Sequence, residues 1–139
     1  MVLSLLLPFQ NGRFLESCTT IAVVGLSNKK HRESYATAKY LQAHGYRIIP
    51  VNPRFEDILG ERCYPNLPAI PERVDIVNCF MRAERIPPVA EEAIAIGARM
   101  LWLQLGIVNE QAASRAVGAG LQVIMDRCIM IEHKRLLEQ

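Results

Sequence analysis

The fold is decided by residues 21–34, which read IAVVGLSNKKHRES. The first four residues are uniformly apolar, which is typical of a strand that is covered on both faces of a parallel sheet. Gly25 closes this strand. A helix is predicted to start at Ser34 as its N-cap and to run to about His44, with Gly45 as the left-handed stop. A strand, a tight loop and a helix in this order predict an α/β fold.

The rest of the chain repeats this alternation. Four further short apolar runs are separated by helix-length segments, which indicates the strands of a parallel sheet. These runs are residues 46–51, 74–77, 100–103 and 121–125. We therefore predict a Rossmann-like, doubly wound, mostly parallel five-stranded sheet with helices on both faces.

The helices between those strands have local start and stop signals. One helix follows residues 82–85, carries two prolines in its first turn, where proline is tolerated, and stops at Gly97. Another runs from Asn109, as its N-cap, to Val117. Glycines that follow helices and precede strands are typical of the helix-to-strand loops of α/β folds.

Two segments are less regular. The proline-rich connector at residues 52–68 is predicted to contain a short turn or helix at residues 55–59. The polar tail, residues 131–139, has helical character, and we expect its His133 to be solvated.

At about 150 residues per domain, 139 residues make one domain, with an N-terminal extension at 1–17 and a core at 18–137. The composition, 50% hydrophobic and 22% charged, is that of a soluble globular chain. A net charge of +2 is too close to zero for a general nucleic-acid binder. No apolar run approaches the roughly 20 residues of a membrane span. We expect neither nucleic acid nor a membrane as a partner.

The N-terminal apolar run is short, stops at Pro8 and lacks the basic flank and cleavage site of a secretory signal. It is predicted to be a packing extension. The four cysteines form no C-x-x-C pair and have no zinc-site spacing, so we expect free thiols in a reducing compartment and no metal site. A cytoplasmic location follows from these expectations.

Doubly wound sheets bind ligands at the carboxyl ends of their strands, beside the point where the strand order reverses. After the first strand, Gly25 leads into a helix N-terminus, where backbone N–H groups and the helix dipole attract phosphate. The same loop adds hydroxyl, amide and cationic groups at Ser27, Asn28, Lys29, Lys30, Arg32 and Ser34. Gly25 is the only glycine of the G-x-G-x-x-G dinucleotide pattern here, so a plain surface turn with solvated lysines stays open.

The second strand ends at Val51, Asn52, Pro53 and Arg54. NAD-binding domains place an acid here for the ribose hydroxyl, whereas this chain has a neutral asparagine with Arg54 nearby. A cation at this point favours an extra ribose phosphate, as in NADP or coenzyme A. An Asn-Pro turn with no ligand is the alternative.

The third strand is followed by Phe80 and Met81, which we expect along the adenine or pantetheine path, and by Arg82. A cation at a helix start is unfavourable unless an anion binds there, and an exposed Arg82 offset by Glu84 is the alternative. The fourth strand is followed by Gln104, whose amide donates and accepts, and by Gly106, which permits close backbone approach.

Asp126 and Arg127 follow the fifth strand and are expected to fix its loop rather than to do chemistry. Ser27 lies outside any G-x-S-x-G pattern, and no carboxylate pair or His-Asp couple stands at the strand ends. We therefore predict no catalytic residue.

A set of motifs, one at each strand end, carries a resemblance to a known family. The motif residues are 21–25 with Ser27, Ser34 with Tyr35, 51–53, 63–65, 74–77 with Phe80 and Arg82, Trp102 with Gln104 and Gly106, and 126–128. In this order they resemble the stand-alone CoA-binding domain family over about residues 18–137. This family is similar to the N-terminal CoA-binding domain of the succinyl-CoA synthetase alpha subunit. The resemblance implies a Rossmann-like fold that binds coenzyme A or an acyl-CoA.

The resemblance also implies a role for each strand end. The pyrophosphate would be held by Gly25, Ser27 and residues 29–32. The adenosine and its 3′-phosphate would lie near residues 51–54. The nucleotide would be flanked by Phe80 and Arg82, and the pantetheine would lie along Gln104 and Gly106.

The chain departs from the family in two places. Residues 26 and 28–31 are bulkier and more basic than the family's loop of small residues, and residues 1–17 lack the charged helix that leads in. The synthetases' ligase chemistry resides in further domains, for which this chain has no space. The leading interpretation is a CoA-binding module without catalytic machinery. The alternatives are an NADP-dependent oxidoreductase and a regulatory or assembly protein stabilised by its nucleotide, and association with itself or with a protein partner stays open.

Overall fold

A five-stranded parallel sheet forms the centre of the protein, in a computed structural model that describes residues 13–138. Its strands are β1 (Thr20–Val24), β2 (Arg47–Val51), β3 (Ile76–Cys79), β4 (Met100–Leu103) and β5 (Gln122–Ile124). They lie in the order β2-β1-β3-β4-β5, and every neighbouring pair is parallel. The predicted doubly wound α/β fold is confirmed, and the strand order reverses between β1 and β3.

Each predicted strand is present, with small shifts at its ends. The third was predicted at residues 74–77 and lies at Ile76–Cys79. The reason is Asp75, whose carboxylate accepts the N–H groups of Thr19 at 2.8 Å and Thr20 at 3.1 Å. This carboxylate anchors the amino edge of the sheet, and the regular pairing with β1 begins one residue later.

Helices cover both faces of the sheet. In the described residues they are α1 (Arg13–Ser17), α2 (Glu33–Ala43), α3 (Ile86–Ala95), α4 (Glu110–Gly118) and α5 (Ile129–Leu137). Side chains of α3 and α4 pack into one apolar layer, and those of α1, α2 and α5 pack into the other. Two buried faces explain why the strands are apolar at successive positions.

Three helix signals behave as predicted. Gly45 and Gly97 have positive φ angles of 96° and 74°, which confirms both stops. The side chain of Asn109 caps α4, because its Oδ1 accepts the N–H of Ala112 at 2.9 Å.

The prediction for the start of α2 is wrong. Arg32 occupies the N-cap position with extended backbone and no capping hydrogen bond from its side chain. Ser34 lies inside the first turn, where its buried Oγ accepts the N–H of Ser27 at 3.1 Å. The hydroxyl therefore holds the preceding loop instead of capping the helix.

The connector after β2 also differs from the prediction. In place of a short helix, a hairpin of Asp57–Ile58 and Glu61–Arg62 forms here, and its turn begins at the last residue of the predicted range 55–59. Its tip, Leu59 and Gly60, has φ angles of 56° and 76°. Two consecutive left-handed residues make the tight turn that matches strand twist, and leucine is an unusual residue for that conformation.

The two ends of the described chain both pack on the core. The predicted extension falls partly outside the described residues, but Leu15 in α1 is fully buried and its carbonyl accepts the Tyr46 hydroxyl at 3.0 Å. The tail helix begins at Ile129, before the predicted residue 131. His133 is only 8% exposed, so the prediction of a solvated ring is wrong, because that face of α5 packs against α2. Among the described residues, no helix is long and apolar enough to cross a membrane.

The four cysteines are all free and all buried. Burial raises the pKa of Cys18 and of Cys63 to about 11, and that of Cys79 to about 12. These three thiols are therefore protonated at neutral pH and serve as small core residues.

Candidate functional site

The loop after β1 begins at Gly25, at the point where the strand order reverses. Gly25 has a φ angle of +85°, and a Cβ added there would lie 2.1 Å from the carbonyl oxygen of Phe80. Its N–H donates to the Val51 carbonyl at 3.0 Å, and the Phe80 N–H donates to the Val24 carbonyl at 2.9 Å. Only glycine fits here, and this fit brings the ends of β1, β2 and β3 together.

Ser27 organises the rest of that loop. Its N–H donates to Ser34 Oγ at 3.1 Å, and its own Oγ accepts the Lys29 N–H at 3.0 Å. The Arg32 N–H then donates to the Lys29 carbonyl at 3.0 Å, which closes the turn before α2. Each hydroxyl keeps its own hydrogen and can still donate it to a bound acceptor.

The N-terminus of α2 is suited to an anion. The side chain of its N-cap residue, Arg32, makes no capping hydrogen bond, so its first-turn N–H groups and the positive end of the helix dipole favour a negative ligand. Glu33 is exposed in the same turn and supplies one carboxylate there. A phosphate at this position would have to compete with that carboxylate.

Asn52 links the loops that follow β1 and β2. Its Nδ2 donates to the Leu26 carbonyl and its Oδ1 accepts the Arg54 N–H, both at 3.0 Å. Its backbone N–H donates to the Tyr64 carbonyl at 2.9 Å. Its neighbours differ in exposure, since Val51 is buried whereas Pro53 and Arg54 are exposed. The amide of Asn52 thus positions backbone, and the cation beside it faces solvent.

The loops after β3, β4 and β5 are also linked. Arg82 precedes a 3-10 turn at Ala83–Arg85, and Asn109 Nδ2 donates to the Ala83 carbonyl at 2.9 Å. The Gly106 N–H donates to Asp126 Oδ1 at 2.7 Å. As predicted, Asp126 fixes a loop, but it does so through Gly106 and not through Arg127, which lies 3.7 Å from Glu132.

Gln104 is buried and tied into the core. Its Oε1 accepts Asn78 Nδ2 at 3.1 Å and the Ile129 N–H at 3.0 Å. The Ile129 N–H requires an acceptor, so Gln104 must point its Oε1 towards it. Asn78 must then present its Nδ2 to the same Oε1, which fixes the orientation of both side-chain amides. Asn78 Oδ1 and Gln104 Nε2 remain without a hydrogen-bond partner in the described structure. Asn78 was missed by sequence reasoning, although a polar residue within an apolar strand is itself a signal.

Exposed cations on three of these loops have no carboxylate partner among residues 13–138. They include Lys29, Lys30, Arg32, Arg54 and Arg82, and the exposed amide of Asn28 lies beside the first two in sequence. The suggested offset of Arg82 by Glu84 is not present as an ion pair. The carboxyl edge of the sheet therefore carries positive charge that the described chain does not neutralise.

Two recesses lie outside these loops. One, of about 550 Å³, is lined by Phe55, Glu56, Asp57, Arg62 and Cys63 beside the hairpin. The other, of about 250 Å³, lies at the amino edge near Asp75 and Arg99. Sequence reasoning assigned no ligand to either. Within the described part of the chain, no group of three or more His, Cys, Asp or Glu side chains is arranged to hold a metal ion.

Comparison with known proteins identifies the family of the chain. The family model described as "CoA binding domain" matches residues 19–134. The chain belongs to this CoA-binding domain family. Membership confirms the resemblance that the strand-end motifs carry.

Relatives of this CoA-binding domain include both small proteins and large ones. The uncharacterised protein YneT of Bacillus subtilis is 44% identical over 119 residues, which cover 86% of this chain and 88% of that protein. A solved structure of a hypothetical protein from Pyrococcus horikoshii is 38% identical, with a TM-score of 0.89 over 92% of this chain and 90% of that chain. An ADP-forming acetate–CoA ligase of Archaeoglobus fulgidus is 33% identical over 72 residues, which are 52% of this chain and 10% of the ligase. The chain therefore spans about a tenth of that ligase.

Proposed function

We propose that this chain binds coenzyme A, free or acylated, at the carboxyl edge of its sheet and adds no reaction of its own. One observation carries the proposal. Three strand-end loops place exposed cations at this edge, among them Lys29, Arg54 and Arg82, and these have no carboxylate partner among the described residues. Coenzyme A carries a pyrophosphate and a 3′-phosphate, so it would supply the missing negative charge in several places at once.

The loop after β1 is proposed to hold the pyrophosphate. Gly25 allows the backbone to approach a ligand closely, and the hydroxyls of Ser27 and Ser34 can each donate a hydrogen bond. The uncapped start of α2 offers backbone N–H groups. Lys29, Lys30 and Arg32 add charge, which outweighs the single carboxylate of Glu33.

The end of β2 is proposed to receive the adenosine and its 3′-phosphate. Arg54 is the exposed cation there, and the neighbouring Asn52 carries no negative charge that would repel a phosphate. Since both ends of the Asn52 amide already bind backbone, its proposed role is to hold the Leu26 and Arg54 segments in place. Val51 and Pro53 would contact the adenosine through apolar surface.

The loops after β3 and β4 are proposed to follow the rest of the ligand. Phe80 offers a half-buried ring, and Arg82 an exposed guanidinium, to the nucleotide. Gly106 is exposed and leaves open space where a side chain would stand, which suits an extended pantetheine arm. Gln104 is proposed to act mainly through the loop that it anchors, because its Oε1 is committed to Asn78 and Ile129.

The proposal stops at binding because the groups at this edge are cations, hydroxyls and amides. Such groups bind and orient phosphates, whereas a reaction needs a nucleophile with an adjacent base or an equivalent pair. The matched segment is only 10% of the ligase relative, so the activity of that ligase is not carried over to this chain. A protein that uses the bound nucleotide is the natural partner of such a module.

Isothermal titration with coenzyme A, dephospho-CoA and NADP tests the proposal directly. We expect saturable binding of coenzyme A and weaker binding of dephospho-CoA, which lacks the 3′-phosphate. Equal affinity for the two would remove the role given to Arg54. Absence of heat with coenzyme A, together with saturable binding of NADP, would replace the proposal with that of a dinucleotide-binding protein.

A further inference from the structure

Four aromatic rings form a cluster between α2 and α5 that the proposed function does not use. Tyr40 and His44 lie at the end of α2, Tyr46 precedes β2, and His133 lies on α5. Ring centroids are 4.1 Å apart for Tyr40 and His44, 5.2 Å for His44 and His133, and 5.6 Å for Tyr46 and His133. We name this set the Tyr-His cluster.

Hydrogen bonds fix the orientation of the rings. The Tyr40 hydroxyl and His133 Nδ1 are 2.8 Å apart, and His44 Nδ1 lies 2.8 Å from the Tyr40 carbonyl. Burial raises the pKa of Tyr40, so its hydroxyl stays protonated and can donate to a neutral His133. In that state the ring hydrogen of His133 is on Nε2.

The charges that face His133 oppose a positive charge on its ring. His44 packs on it from α2, and Lys134 of α5 places its Nζ 5.3 Å from the Tyr40 ring centroid. From the β2 side, Tyr46 presents a neutral phenol. The adjacent carboxylate, Glu132, is bound to Arg135 at 2.8 Å and lies 3.7 Å from Arg127.

These groups do little to stabilise a positive charge on the His133 ring. Burial first, and the His44 ring second, lower its pKa below the ordinary value. Protonation would also put a hydrogen on Nδ1, which could then no longer accept the Tyr40 hydroxyl hydrogen. The contact would survive only if the phenol turned round to accept.

We infer that the Tyr-His cluster is a pH-sensitive latch, in which neutral His133 holds α5 against α2 and protonated His133 loosens it. The latch is independent of the proposed ligand, since it rests on contacts between two helices. The direction follows from linkage. The contribution of neutral His133 to the stability of the folded state is fully present above its unfolded-state pKa of about 6.5. This stability is lost as the pH falls from there through the lowered folded-state pKa.

Hydrogen-exchange protection of the α5 amides, measured on the full chain from about pH 7.5 to pH 5, tests the latch. We expect the protection factors to fall by roughly 3- to 10-fold on acidification. In His133→Phe, which keeps a ring but cannot titrate, this fall should be absent. His31→Gln is the matched control, because His31 is exposed in the β1 loop, and in the absence of ligand it should show the same fall in α5 protection as the parent chain. Equal losses in the parent and in His133→Phe would overturn the inference.

A second variant decides the matter if His133→Phe does not fold. His44→Gln removes the facing ring that lowers the pKa of His133, so His133 should titrate at a higher pH in proton NMR spectra, and loosening of α5 should move with it. An unchanged His133 titration, or a loosening of α5 that does not follow it, would overturn the latch.

Discussion

The two edges of the sheet treat charge in opposite ways. At the amino edge, Asp75 accepts the N–H groups of Thr19 and Thr20 and lies 3.8 Å from Arg99, and Arg47 binds Glu61 and Glu72. At the carboxyl edge, the cations of three loops have no carboxylate partner in the described chain. Both edges are made by the ends of the same strands, so the difference lies in the loops.

This contrast separates stability from binding. Carboxylates placed at the amino edge are satisfied within the chain, which contributes to folding without leaving capacity for a ligand. Unpaired cations at the carboxyl edge repel one another and contribute nothing to folding, but they remain available to an anion. The predictions below use each edge as the control for the other, in order of decreasing effect.

The largest effect is expected at Gly25, where the carboxyl edge is held together. Gly25→Ala would place a methyl group 2.1 Å from the Phe80 carbonyl oxygen and keep a left-handed backbone. Strain and overlap together should lower the free energy of unfolding by about 2–6 kcal/mol in urea denaturation. Gly118→Ala is the matched control, because open space surrounds that position, and it should leave stability within about 1 kcal/mol. Comparable losses in both variants would contradict the close-approach argument.

Asp75→Asn should break the amino edge alone. Removing a charged acceptor of several hydrogen bonds is expected to lower the free energy of unfolding by about 1.5–3 kcal/mol, with coenzyme A affinity unchanged. Titration calorimetry on the folded variant provides the second measurement. A loss of affinity equal to that of the cation variants would show that the two edges are not separable.

The same carboxylate predicts a pH dependence. Burial would raise the pKa of Asp75, but the donors of Thr19 and Thr20, with Arg99 nearby, outweigh burial and hold that pKa below its ordinary value. Its contribution is therefore present above about pH 4 and is lost as the pH falls through the folded-state pKa. The stability of the parent chain should fall towards that of Asp75→Asn in acid-denaturation curves, and a constant difference down to pH 2 would contradict this.

At the carboxyl edge, Arg82→Ala and Lys29→Ala should each weaken coenzyme A binding while leaving stability almost unchanged. A lost charged hydrogen bond of about 1.5–3 kcal/mol corresponds to roughly 10- to 150-fold in the dissociation constant. Arg73→Ala is the matched control, since Arg73 is also exposed and has no ion pair within residues 13–138, but precedes β3, at the amino edge. It should change the affinity by no more than a few tenths of a kcal/mol.

The smallest effect is expected for the ion pair of Glu72 with Arg47. Both side chains are partly exposed, so Glu72→Gln should lower stability by only about 0.2–1 kcal/mol, and less at high salt. Urea denaturation at low and high salt measures both effects. A larger loss of stability that high salt does not reduce would contradict the description of this ion pair as exposed and screened by solvent.

The sheet and the convergence of its strand-end loops could be predicted because both depend on patterns that are local in sequence, whereas the binding site on those loops stays a prediction. Apolar runs identify the strands, and the carboxyl ends of parallel strands share one edge, so residues after each strand come together without further information. Gly25 and Arg82, 57 residues apart in sequence, fall on neighbouring loops for this reason.

The features that were missed depend on contacts between distant segments. Ser34 binds the loop that precedes it, and His133 is buried because α2 packs over that face of α5. In the sequence, Asn78 is a single polar residue in a strand. Its hydrogen bond to Gln104, which also accepts the Ile129 N–H, depends on a segment 26 residues away. The hairpin turn has Leu59 at a left-handed position where asparagine, aspartate or glycine is usual, so the sequence gives no turn signal at that residue.

Three side chains tie the strand-end loops into one frame: Asn52 to Leu26, Asn109 to Ala83, and Asp126 to Gly106. Loops held in this way lose little conformational entropy when a ligand binds to them. Ligand binding then requires no folding of a loop. The association rate is therefore governed by diffusion, orientation and attraction between opposite charges. For the proposed coenzyme A site, this frame therefore predicts rapid uptake and release of the ligand.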